Sequence, residues 1–243
     1  MTLPPAPDPP TPGGLADAMV TLAGSPDHSP RVDTLLGIIA RLTVDLIAPA
    51  RFASITALRG ETFTTVAVND DLIKAVDEAQ YVDNAGPCLE ALVSGAPVGV
   101  PAIDTTVQWP SFHETAPRLG LHASASVPLF AGRGEPIAAL NVYSPDRFAM
   151  EPLIAGIRAV HGHPSEPIRY EEHLAMLDPG GRELITGYAE ALSIRATIRL
   201  ALEMIKAGHR CSATDAYLSL CLRAGDAGTN LAEAAATLIR EDG

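Results

Sequence analysis

From Val32 the apolar residues Leu35, Leu36, Ile39, Leu42 and Leu46 recur at steps of three and four. That spacing predicts an amphipathic helix, which Pro49 ends. The period then falls to two. Phe52 to Leu58 and Thr62 to Val68 read as strands joined at hairpin spacing by Arg59-Gly60-Glu61. Asp70 holds the N-cap position of a helix running to about Ala79, and after the Gly86-Pro87 break Cys88 to Val93 predicts a short helix. Pro97 to Val100, Leu121 to Phe130 and Pro136 to Tyr143 predict three more strands, the last two joined by the turn Ala131-Gly132-Arg133-Gly134-Glu135. Helices before and inside an antiparallel sheet make an α+β domain over residues 31–150.

The flanking segments follow other patterns. Eight of the first thirty residues are proline, which predicts a mostly disordered tail over residues 1–30. His161-Gly162-His163-Pro164 and Asp178-Pro179-Gly180-Gly181 break long elements, so residues 151–181 read as a linker with at most short helices. From Arg182, Leu184, Tyr188, Ala191, Arg195, Ile198, Leu202 and Ile205 keep heptad spacing, a coiled-coil seam on a helix over 182–207 that Gly208 closes. Such a seam seeks a partner helix, so a homodimer is expected. Ser212 is the expected N-cap of a second helix through Arg223, with Asp215 at N3, and the Gly225 to Gly228 turn leads to an alanine-rich third helix from about Asn230 to Arg240. Residues 182–243 thus form an all-α three-helix module.

Composition narrows the setting. Of 243 residues 47% are hydrophobic, ample for a core, yet no uncharged apolar run reaches the roughly 18 residues of a membrane span. The N-terminus lacks the basic and apolar regions of a secretory signal, and Cys88, Cys211 and Cys221 form no CxxC pair. A cytoplasmic protein without a disulfide framework or cysteine zinc site is expected. Seventeen basic against 29 acidic side chains give a net charge of -12, which argues against coating nucleic acid through the overall field. Leu192 to Arg223 is the exception, with five basic and two acidic residues, and is where a polyanion site belongs.

Separated motifs occur in order: Asp83-Asn84-Ala85-Gly86-Pro87-Cys88-Leu89-Glu90-Ala91-Leu92, Trp109-Pro110, Val127-Pro128-Leu129 and Leu140-Asn141-Val142-Tyr143-Ser144. Together they resemble the GAF sensory domains of actinobacterial GAF-ANTAR regulators. The resemblance implies a six-stranded-like antiparallel sheet with helices on one side, a ligand cavity on the other, and an unspecified small-molecule ligand. Ala191-Leu192, Arg195, Ile198 and Ala201, then Cys211-Ser212, Asp215-Ala216-Tyr217 and Leu220, then Leu231 and Ala235 resemble the ANTAR domain, a three-helix RNA-binding module of transcription antiterminators. The motif is degenerate: the usual Gln-Ala-Lys-Gly stands here as Leu200-Ala201-Leu202-Glu203, the usual arginine as Cys221, and the polar pair before the third helix as Gly228 and Asn230.

These readings assign candidate roles. Arg199, Lys206, Arg210 and Arg223 are the expected contacts to an RNA hairpin, facing solvent from the positive stretch. Arg195, on the seam, is expected to pair with Glu190 or a partner-chain carboxylate. Tyr217 could stack on an unpaired base, but its Ala-Tyr-x-x-Leu context favours core packing. Cys88 stands at a predicted helix N-terminus, whose dipole would lower its thiol pKa and suit a redox or methionine sulfoxide reductase role, but the favoured reading is a buried residue that packs helix on sheet. His113, His122, His161, His163 and His173 match no metal motif, and no catalytic constellation or cofactor loop is present in the sequence. The expected function is a signal-responsive regulator, not an enzyme, whose GAF-like domain controls an ANTAR-like RNA-binding module in antitermination. The alternative is a dimerisation or partner-binding regulator that no longer binds RNA.

Overall fold

The computed structural model describes residues 13–163 and 171–242. Strands β1 (Phe52–Arg59), β2 (Thr62–Val68), β3 (Val98–Val100), β4 (Ala123–Ala131) and β5 (Glu135–Ser144) form one antiparallel sheet in the order β2-β1-β5-β4-β3. The sheet has five strands among the described residues rather than the six the resemblance implies. Its faces differ because side chains alternate along each strand. Ala53, Ile55 and Ala57, with Ala125, Val127, Leu129, Leu140 and Val142, are buried in the large apolar core. The intervening Ser54, Thr56, Ser124, Ser126, Asn141 and Tyr143 point the other way and are buried too.

Helices α1 (Leu15–Ala23), α2 (Arg31–Leu46), α6 (Arg147–Gly162) and the first half of α8 (Pro179–His209) cover the apolar face. Helices α3 (Lys74–Asp83) and α4 (Pro87–Ser94) lie over the polar face, and α5 (Pro110–Arg118) packs beside α3. Asp70 caps as expected, accepting from Leu72 N at 2.9 Å, though a single 3-10 turn precedes α3. The sequence reading missed α5, which starts at Pro110 after Trp109 in a left-handed conformation.

Two segments expected to be irregular are helical. The tail expected over residues 1–30 contains α1, whose Leu15, Ala18, Met19 and Leu22 are buried; residues 1–12 lie outside the described residues. Proline density hid this stripe of apolar residues, which finds its partners on α8. Glu183 of α8 accepts from Leu15 N at 2.8 Å, supplying the cap that Gly14 lacks. Gly187 permits the crossing, since a Cβ there would stand 2.7 Å from Ala16 Cα. The linker expected over 151–181 begins with most of α6, which buries Leu153, Ile154, Ile157 and Val160. The Gly162-His163 break falls after that helix, and a short helix α7 (Glu171–Ala175) follows the undescribed residues 164–170. Asp178-Pro179 starts a helix: Asp178 accepts from Gly181 N at 2.6 Å and Pro179 occupies its first turn.

The 31 residues of α8 join two cores. Leu184, Ile185, Tyr188 and Leu192 enter the apolar core over the sheet. Ile198, Ala201, Leu202 and Ile205 pack with Ala216, Tyr217 and Leu220 of α9 (Ala213–Ala227) and Leu231, Ala235 and Leu238 of α10 (Leu231–Asp242). These contacts within the chain cover the heptad seam. Ser212 caps α9 through Asp215 N at 3.1 Å, as its position predicts. Helix α8 passes Gly208 and ends at Arg210, whose φ of 51° is the left-handed closing residue.

Candidate functional site

A connected polar layer fills the space between the sheet and α3. Across the strands Ser54 stands opposite Asn141, and Asn141 opposite Ser126. Ser126 Oγ donates to Asn141 Oδ1 at 2.9 Å, and Asn141 Nδ2 donates to Ser54 Oγ at 3.1 Å and Thr56 Oγ1 at 3.0 Å. The layer centres on Asp77 of α3, which is fully buried. Its Oδ1 accepts from Ser54 Oγ at 2.9 Å and Tyr143 OH at 2.8 Å, and its Oδ2 accepts from Thr65 Oγ1 at 2.9 Å. Burial pushes the Asp77 carboxyl up to about 6, against the pull of those three donors. It makes no ion pair among the described residues, so a charge here rests on neutral hydroxyls alone. Ser124, opposite Tyr143, has a buried hydroxyl with no hydrogen-bond partner among the described residues.

Cys88 borders this layer. Gln80 Oε1 accepts from Cys88 N at 3.0 Å, and a Cβ on Gly86 would stand 2.2 Å from that oxygen, so α4 can start here only with glycine. Burial, then the nearby Asp77 carboxylate, pushes the Cys88 thiol well above its ordinary value. This corrects the lowered pKa expected from the helix N-terminus: desolvation outweighs the dipole.

Outside the layer, Phe63, Asn84, Ala85, Leu89, Glu90, Val93, Ser94 and Val98 line an open groove of about 470 Å³. Tyr81 separates the two. Its ring stacks on Phe63 with centroids 6.3 Å apart, and its hydroxyl lies 2.9 Å from Thr56 Oγ1 and 2.8 Å from Thr65 Oγ1. At the groove edge Trp109 Nε1 donates to Glu90 Oε1 at 2.6 Å.

The expected RNA contacts lie elsewhere. Arg199 and Lys206 share one side of α8 by helical spacing, with Glu203 between them. Arg199 lies 3.9 Å from Glu135, Lys206 2.8 Å from Glu203, and Arg223 3.7 Å from Glu241. Arg210 is exposed and makes no ion pair among the described residues. Arg195 does not pair with Glu190. Its Nε donates to Gly134 O at 2.7 Å and its guanidinium lies over Phe130, 4.5 Å from the centroid. Tyr217 is core, as its context predicts. Its hydroxyl donates to Asp27 Oδ1 at 2.9 Å and accepts from Asp27 N at 3.2 Å, while Arg133 covers its ring at 4.9 Å. His161 stacks on Tyr188 and meets its hydroxyl at 2.9 Å. No metal-holding group of three or more His, Cys, Asp or Glu occurs among the described residues, and no described helix is long and apolar enough to cross a membrane.

Sequence reasoning missed the Asp77 layer entirely. Its signal was the pairs Ser54/Thr56, Ser124/Ser126 and Asn141/Tyr143, polar residues two apart on three strands. Two-residue spacing puts each pair on one face, and adjacent strands put the pairs together.

No curated protein matches the chain. Among solved structures it is similar to the type II free methionine-R-sulfoxide reductase from Thermoplasma acidophilum, at 12% identity and a TM-score of 0.39 over 66% of this chain and 98% of that one. It is also similar to a GAF domain from A. aeolicus in an inactive state, at 13% identity and a TM-score of 0.40 over 60% of this chain and 88% of that one. The GAF domain family matches residues 29–153, the five-stranded sheet with α2 to α5 and the start of α6. That span is more than half of the 243 residues, and the chain belongs to the GAF domain family.

Proposed function

We propose that this chain is a signal-responsive regulator whose GAF domain senses a small ligand and controls an ANTAR-like RNA-binding module acting in transcription antitermination. One observation carries the reading: each unit gives an arginine to the other's aromatic ring. Arg195 of α8 covers Phe130 of the sheet, and Arg133 of the β4–β5 hairpin covers Tyr217 of α9. The hairpin continues the strands that hold Ser124, Ser126, Asn141 and Tyr143, so a displacement at the polar layer reaches the helical module through two rigid strands. The module has its own core and carries Arg199, Lys206, Arg210 and Arg223. Those four are the assigned hairpin-RNA contacts.

The test is a gel-shift titration of hairpin RNAs with the full chain. Four phosphate contacts give a salt slope of roughly -3, so affinity falls by more than about tenfold between roughly 50 and 200 mM salt. Arg210→Ala with Arg223→Ala weakens binding, and Arg133→Ala, which unlocks Tyr217, strengthens it. No binding by wild type or Arg133→Ala at low salt overturns the reading.

A second reading has its own observation. Leu218 and Leu222, one turn apart on α9, are 52% and 68% exposed, and three of the four cations have carboxylate partners within the chain. Such a face suits protein contact better than phosphate. In that reading the module docks a partner, a second copy of this chain included. Light scattering that gives a dimer for wild type and a monomer for Leu222→Lys supports it.

A further inference from the structure

We propose that the GAF domain binds an organic cation, an ammonium or amidinium on a flat or apolar body, with the charged nitrogen on Asp77 and the body in the groove beside Phe63. The proposal rests on the reading of this domain as a ligand sensor and names the ligand's chemistry.

The first argument is the unmatched acceptor. A carboxylate offers about four lone-pair positions. Asp77 uses two on Oδ1, for Ser54 and Tyr143, and one on Oδ2, for Thr65. One lone-pair position on Oδ2 has no donor among the described residues. A buried carboxylate without a counter-charge gains most from a partner that brings one, because the pair is formed in a low-dielectric interior.

The second argument is the polar surplus of the layer. A sheet face that only packed against helices would be apolar, as the opposite face is. Here the buried Ser124 hydroxyl has no partner among the described residues, beside the tyrosine that holds Asp77. An unused hydroxyl in the interior costs stability unless something bonds it.

The third is the route and its charge. Tyr81 bridges groove and layer, touching Phe63 on one side and Thr65, the donor to Asp77, on the other. It is only partly buried, and a ligand that reaches Asp77 displaces its ring. Phe63, Leu89, Val93 and Val98 offer an apolar floor, Glu90 adds a carboxylate at the rim, and no lysine or arginine is among the described residues that line the groove. An anionic ligand would meet repulsion from both carboxylates.

Three probes that share one body decide the matter: tyramine, 2-(4-hydroxyphenyl)ethanol and 4-hydroxyphenylacetate, each titrated by calorimetry into the full chain at neutral pH. Tyramine should bind at least about tenfold more tightly than the alcohol, the ratio a charge-assisted hydrogen bond gives, and the acetate should not bind. Asp77→Asn, nearly isosteric, should reduce tyramine to the level of the alcohol. Glu90→Gln, at an exposed position, should weaken tyramine severalfold and leave the alcohol unchanged. If Asp77→Asn does not fold, the Glu90 variant decides, and unchanged tyramine affinity there overturns the proposal. So do equal affinities for tyramine and alcohol, undiminished binding by folded Asp77→Asn, or no heat from tyramine at millimolar concentration. Binding of the alcohol or acetate alone would leave the ligand-sensor reading standing and remove only the cation.

Discussion

The guanidinium of Arg133 lies over the ring of Tyr217, 4.9 Å from its centroid, and joins the tip of the central hairpin to the second helix of the C-terminal module. Asp27 holds the same tyrosine through its hydroxyl, so three distant segments meet on one side chain. The tie of α9 to the sheet hairpin depends on this ring, while Ala216 and Leu220 pack the helix against α8 and α10.

Tyr217→Phe tests that dependence while keeping the ring. The lost hydroxyl bonds to Asp27 are worth about 1 kcal/mol net. Urea unfolding should show that loss, and amide exchange should speed up in α9 more than in α5, which packs on the polar face of the sheet. Equal acceleration in both helices would mean the contact is not local to the module.

Asp77 sets a pH dependence whose sign is unusual for a carboxylate. Its folded value is raised from the ordinary 3.8 to about 6, so its contribution to stability is fully present below about 3.8 and lost as pH rises through about 6. The difference amounts to about 3 kcal/mol across that window. Asp77→Asn removes the titration. The variant should gain on wild type by up to that amount between pH 4 and 7, as measured by chemical unfolding at each pH. A difference that stays constant with pH would show Asp77 to be hydrated.

The strands, the Asp70 and Ser212 caps and the three C-terminal helices were legible because each rests on local spacing. Helices α1 and α6 were not. Leu15, Met19 and Leu22 have the right spacing, but their surroundings are rich in proline, and what decides their state is the surface of α8 reached through Gly187. Arg195 shows the same limit. Heptad position placed it on the seam, while its partners, Phe130 and Gly134 O, come from a hairpin that only the tertiary fold brings there. The Asp77 layer is a product of strand register, and register is non-local.

Cys88 should be chemically silent in the folded chain. It is fully buried and its thiol is pushed up, whereas Cys211 and Cys221 are only partly buried. Thiol labelling at pH 8 should modify Cys211 and Cys221 and spare Cys88 until denaturant is added. Prompt labelling of Cys88 in native protein would revive a redox function for it.

Arg210→Gly separates stability from RNA contact at one position. The residue closes α8 at a φ of 51°, a conformation that costs a non-glycine residue about 1 kcal/mol. Glycine should therefore raise the unfolding free energy by a similar amount, less the exposed charge, which makes no ion pair among the described residues. Hairpin-RNA affinity should fall in the same variant. Stability that rises with RNA affinity unchanged would remove Arg210 from the assigned contacts.

Freeing the paired cations gives the sharpest test of where RNA would bind. Arg199 and Lys206 are held by Glu135 and Glu203, and all four side chains are partly exposed, so each pair contributes about 0 to 1 kcal/mol to the fold. Glu203→Gln and Glu135→Gln should therefore cost little stability. On RNA their effect should be larger, because each removes a carboxylate that repels phosphate and competes for a cation. The double variant should bind hairpin RNA more tightly than wild type, with a steeper fall in affinity as salt rises. That gain should vanish when Arg199 and Lys206 are also changed to Ala, which ties it to those cations rather than to the lower net charge. Control substitutions of equal charge at Glu61 and Asp70, on the far strand hairpin and the first turn before α3, separate the two causes. Equal gains from the control pair would mean that RNA responds only to the overall field, and the assignment to α8 would fall.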